Sequence, residues 1–187
     1  MRHRFVAATL AAGVLAVLGT APAQAAHREH SFEGGCAIHG ITKLGQPLQN
    51  TTDLVPNTYS LYDATGTCTG TLDGKAVLNA PITAVGHGPC VGNCLLSKTT
   101  DPGQATFTFV NGPGRGDDVP IDVRINFVVV LTETQFDIEG AKSGTATGHG
   151  TFLTGSDLGA LLSGCDAGTL QVAPFDLWLA TATPLTS

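Results

Sequence analysis

At 187 residues, with 9 Lys and Arg against 15 Asp and Glu, the chain has a formal net charge of −6. Removal of residues 1–25 as a leader would take Arg2 and Arg4 with it, leaving 7 cations against 15 acids, or −8. So few and so scattered positive charges exclude general nucleic-acid binding and attraction to anionic membranes. A charged fraction of 13% with 42% hydrophobic residues likewise excludes disorder driven by charge excess.

Residues 1–25 have the layout of a signal peptide. Arg2, His3 and Arg4 form a basic start, Phe5 to Leu18 an apolar middle, and Ala21-Pro22-Ala23-Gln24-Ala25 a small-residue cleavage site. Cleavage is expected after Ala25, so that residues 26–187 form one secreted, extracellular, antiparallel β domain. The apolar run of about 14 residues falls short of the ~20 that span a bilayer. No cysteine lies at the cleavage point, since the first is Cys36, so neither a membrane span nor a lipid anchor is expected after processing.

Apolar residues in the mature chain recur with period two, the spacing of strands with one buried face. In chain order, strands are expected at Tyr59 to Tyr62, Thr67 to Leu72, Ala76 to Val85, and around Phe107 and Phe109. The clearest follows, with Ile121, Val123, Ile125, Phe127, Val129 and Leu131 on one face. The pattern resets after Thr132 to Thr134, giving a hairpin to Phe136 and Ile138. Thr145 to Leu153, Thr169 to Val172 and Phe175 to Thr183 complete the set. Asp73-Gly74 fits a two-residue turn, Asp101-Pro102-Gly103 another, and 86–94 and 111–118 read as glycine-rich loops. One short helix is expected near 156–162, capped by Ser156 or Asp157 and stopped by Gly164, with Leu158, Leu161 and Leu162 as its apolar face.

Because no helical pattern is long enough for parallel crossovers, the expected fold is all-β: a single-domain antiparallel β-barrel, an up-and-down meander of about eight strands. A β-sandwich is the alternative. The general shape is similar to the calycin barrels, although no diagnostic motif accompanies the likeness.

The five cysteines read first as disulfides in an oxidising compartment. The glycines and proline around Cys90 and Cys94 suggest that these two pair with each other, and that Cys165 pairs with Cys36 or Cys68. A zinc site at Cys90, Cys94 and His87 lacks a further ligand. No metal or other cofactor is implied.

Catalytic patterns are weak. Gly140-Ala141-Lys142-Ser143-Gly144 places its first glycine one residue too early for a serine elbow. His27, His30, His39, His87 and His149 are the mature histidines. His27 would chelate copper only if cleavage fell after Ala26. His149 shares a strand face with Thr145, Thr147 and Thr151, which points it to solvent if Ala146, Gly148, Gly150 and Phe152 face the core. With the strand reversed it enters the lumen as a ligand contact or base. Arg115-Gly116-Asp117 is an integrin-type tripeptide in a loop, and Asn50-Thr51-Thr52 is a glycosylation sequon.

The expected function is therefore a secreted, non-catalytic binding or interaction protein for a small apolar ligand or an extracellular partner. The alternatives are a lyase- or cyclase-like barrel enzyme using His149 in the lumen, and a protease inhibitor presenting the Cys90–Cys94 loop as bait. Amino-terminal sequencing of exported protein is expected to begin at Ala26.

Overall fold

A computed structural model describes residues 29–112, 116–152 and 158–187. Among these residues the strands are β1 (Ser31–Leu44), β2 (Val55–Leu72), β3 (Lys75–Gly92), β4 (Leu96–Thr99), β5 (Gly103–Phe109), β6 (Val119–Val130), β7 (Glu133–Gly140), β8 (Ser143–Phe152) and β9 (Val172–Thr186). One helix, α1 (Leu158–Asp166), precedes β9.

The strands pair antiparallel in chain order, and β9 returns to pair with β1. Between β3 and β6 the wall is made in two pieces. β5 bridges Ile82–His87 to Val119–Ile125, and β4 bridges Cys90–Gly92 to Val128–Val130. With β4 and β5 counted as one wall, eight strands close a ring. Extra residues in β2, β3 and β9, where the register shifts, and the break at 100–102 make it irregular rather than a regular barrel. The fold is thus the all-β up-and-down meander that the alternation predicts, in one sheet rather than the two of a sandwich.

Local chemistry explains the turns. Asp73 and Gly74 both have positive φ, 52° and 73°, the primed geometry whose twist matches the strands it joins. The Asp73 carboxylate also accepts the Ser31 amide at 2.9 Å and meets His30 Nδ1 at 2.9 Å, tying the start of β1 to the β2–β3 hairpin. After α1 the amides of Gly168 and Thr169 bond the carbonyls of Cys165 and Gly164, and Gly168 takes φ 63°. That is a Schellman stop. The helix therefore runs through Gly164, the residue expected to end it, to Asp166, and the left-handed glycine of the stop is Gly168. Leu162, expected on its apolar face, is exposed. The expected caps Ser156 and Asp157, the leader, His27 and Arg115 lie outside the described residues.

Three further expectations are corrected. Tyr59 to Tyr62 and Thr67 to Leu72 belong to one long strand, broken only by a bulge at Asp63, where φ is 48°. The supposed glycine-rich loop at 86–94 is mostly strand: β3 continues through Gly92, paired with β2 and then β4. Because that segment is extended, Cys90 and Cys94 do not fold back on each other. The disulfides are Cys36–Cys68 and Cys94–Cys165, and Cys90 is free and buried. Cys36 and Cys68 stand directly opposite each other on β1 and β2, with Cα atoms 4.1 Å apart. Cys94, in the turn beyond β3, reaches Cys165 on α1, so Cys165 pairs with neither Cys36 nor Cys68.

The core is packed tightly at one end of the ring. Phe109, Ile121 and Leu185 are each 1% exposed, and the rings of Phe32 and Phe109 lie 5.0 Å apart. Among the described residues no helix is long and apolar enough to cross a membrane.

The disulfides close segments of 32 and 71 residues. The chain-entropy model assigns each about 4 kcal/mol. Cys94→Ser with Cys165→Ser is therefore expected to lower the unfolding free energy by about that much in urea titrations. Unreduced protein should contain one thiol, at Cys90, that alkylates only in denaturant.

Candidate ligand cavity at one end of the ring

At the other end the inward side chains do not meet. An apolar cavity of about 110 Å3 lies there, floored by Ile38, Ala84, Phe107, Ile125, Phe136, Ile138, Phe175 and Leu179. Along β6 the inner face changes accordingly. Ile121, Val123 and Ile125 are buried, Phe127 and Val129 are partly so, and Leu131 just beyond is exposed. Ala84, a small inward residue on β3, leaves space that a larger side chain would fill.

Several segments cap this end. Leu48 donates its amide to the Leu170 carbonyl at 2.8 Å, and Cys94 donates to Gln49 at 3.2 Å. Asn93 is 6% exposed. Its side-chain oxygen accepts the amides of Leu95 and Leu96, and its Nδ2 donates to the Thr51 carbonyl at 3.0 Å. The Cys94–Cys165 bond fastens this turn to α1. Leu95, Leu131 and Val172 line the cavity yet remain about half exposed, so they form an apolar rim. Leu131 holds its place in the two-residue β6–β7 turn at φ 57°, a conformation costly for a branched side chain, with its amide bonded to Leu95 O at 2.8 Å.

No charged residue lines the cavity among the described residues. Its polar groups include Thr42 on β1, Tyr59 on β2 and Cys90 on β3, all more than nine-tenths buried. The hydroxyls of Thr42 and Tyr59 have no hydrogen-bond partner. The Tyr59 ring packs edge-on to Phe127, with centroids 5.0 Å apart, and lies over the backbone of Gly88 and Gly103. A Cβ at Gly103 would run into the Tyr59 hydroxyl, so glycine is required there by close approach. Burial pushes the Cys90 thiol up to about 11. Burial, helped by the neighbouring Cys90, pushes Tyr59 up to about 12. Both are therefore neutral at physiological pH: Tyr59 remains an O–H donor, and Cys90 is a thiol rather than a nucleophilic thiolate.

The histidines singled out in the sequence lie elsewhere. His149 is exposed on the outer wall, its ring stacked on Trp178 with centroids 5.8 Å apart. Asp137 and Thr147 stand near it in an open groove of about 790 Å3, outside the ring. The lumen role considered for His149 is not formed. His30 meets Asp73, His39 Nε2 lies 3.0 Å from Thr65 Oγ1, and His87 faces solvent. Ser143 is exposed and bonds Thr186 Oγ1 at 2.8 Å. Asn50, the sequon asparagine, is exposed and donates to Asp166 at 2.8 Å. No cluster of three His, Cys, Asp or Glu that could hold a metal occurs among the described residues. The bait loop expected between Cys90 and Cys94 has no bridge of its own, because its two cysteines do not pair.

Thr42 and Tyr59 were not distinguished by sequence. Their signal was parity: Cys36, Ile38, Gly40, Thr42 and Leu44 share the inner face of β1, and Leu44 registers with Tyr59.

No family model, curated protein or solved structure matches the chain.

Raised pKa values in the fold favour the protonated forms. The unfolded chain releases these protons first, at the ordinary 9.0 for Cys90 and 10.0 for Tyr59. Neither group should affect stability at neutral pH, and folding should be progressively disfavoured from about pH 9 towards 11 and 12. Urea midpoints compared at pH 7 and pH 10.5 are expected to show a smaller alkaline loss in Tyr59→Phe and Cys90→Ala than in the wild type.

Proposed function

We propose that the protein is a secreted binding protein that takes a small apolar ligand into the open end of the strand ring. The observation that carries this reading is a cavity of about 110 Å3 with an apolar lining, entered past an exposed apolar rim. Fully packed cores leave few voids larger than a water molecule. An apolar cavity of roughly 150 Å3 can stay dry and bind benzene. This space is below the 300–1,000 Å3 usual for drug-sized ligands, which favours a single ring or the end of a longer molecule whose remainder rests on the rim.

Binding rather than catalysis is favoured by the electrostatics, because the ionisable side chains of the lining, Tyr59 and Cys90, are held neutral. Two disulfides are compatible with an extracellular setting.

Toluene serves as a first probe. It is expected to raise the wild-type melting temperature in proportion to the logarithm of its concentration above Kd. Ala84→Leu, which places three more carbons on the cavity floor, is expected to weaken toluene binding at least tenfold while the protein stays folded. Absence of any toluene effect on the wild type, with a more stable Ala84→Leu, would mark the space as a packing defect.

A further inference from the structure

Two hydroxyls in the cavity wall remain unexplained by a purely apolar ligand. Tyr59 is 3% exposed and Thr42 is 7% exposed, and neither hydroxyl has a partner. Nearly every buried polar group in a folded protein is hydrogen-bonded, since leaving one unpaired costs as much as breaking its bond to water. Their position makes this informative, because both residues line the one end of the ring that is hollow. The Tyr59 ring cannot easily turn away, being held between Phe127 and the glycine backbones of Gly88 and Gly103.

We infer that the cavity is built for an uncharged, ring-sized ligand carrying a hydrogen-bond-accepting oxygen, such as a ketone, ester or ether, with Tyr59 as the principal donor and Thr42 as a second polar contact on the neighbouring strand. This rests on the ligand-binding reading above and deepens it. A charged headgroup is disfavoured by the lining: among the described residues it holds no Lys, Arg, His, Asp or Glu to pair with one, and an ion moved into such surroundings is not compensated for its lost hydration. A ligand without any polar atom fills the space but leaves both hydroxyls stranded. Because discrimination against a ligand lacking the matching polar atom arises mainly from the stranded protein group, the selectivity is set by Tyr59 rather than by shape.

The test compares acetophenone with α-methylstyrene, which has the same outline with a methylene in place of the carbonyl oxygen. Affinities for both are measured on the full mature protein and on Tyr59→Phe and Thr42→Val, which remove each hydroxyl with little change of shape. The ratio of acetophenone to α-methylstyrene affinity is expected to fall about tenfold in Tyr59→Phe, the loss of one hydrogen bond to a buried donor, and to fall by a smaller factor in Thr42→Val. Tyr59→Phe is also expected to unfold at a higher urea concentration than the wild type, since it no longer buries an unpaired hydroxyl. If both probes bind and the ratio is the same in wild type and Tyr59→Phe, this inference is overturned while the binding reading stands. If neither probe binds the wild type, both are overturned together.

Discussion

Closure of the strand ring is the constraint on which everything else depends. A sheet edge exposes unpaired amides and carbonyls, and pairing β9 with β1 removes the last one. Once eight walls close, the circumference is fixed by backbone hydrogen bonding rather than by the volume of the side chains inside. The interior must then be filled by whatever the inward positions supply. At the Phe32 and Phe109 end they supply enough, and at the Tyr59 end they do not. The cavity is therefore a consequence of ring size and local residue size together, and small residues such as Ala84 do not collapse it because the strands cannot approach further.

This also explains which features were legible beforehand. The alternation from Ile121 to Val129 announced β6, and the threonine face of β8 correctly set His149 against the small-residue face, because period two reports directly on sheet orientation. β1 was invisible to that reading. Gly34, Gly35 and Gly40 interrupt its apolar residues, yet its register with β2 and β9 shows a strand made by pairing on both sides rather than by its own propensity. β4, four residues long, gave no period to detect. Disulfide partners depend on register and on what lies beyond a strand end, which local spacing does not encode: glycines near Cys90 suggested a bend where the pairing with β2 keeps the chain extended. The cavity was hidden for a related reason, since alternation says which side chains face inward and not whether they touch.

The chemistry of the hollow end follows from isolation. With no charged group in the wall among the described residues, the phenol and thiol there feel mainly the loss of water, and both are driven towards their neutral forms. The hollow end is thus apolar and neutral, whereas the outer wall around His149 and Trp178 stays polar and open to solvent.

The unpaired thiol bears on which sulfur bonds the folded chain can exchange. In an extended polypeptide Cys94 has Cys90 as its nearest cysteine sulfur, four residues away, and Cys165 as a distant one. The finished molecule joins the distant pair and hides the near one inside the wall. Pairing of β3 with β2 holds Cys90 inside the wall, so exchange to a Cys90–Cys94 bond would first require β3 to come away from β2.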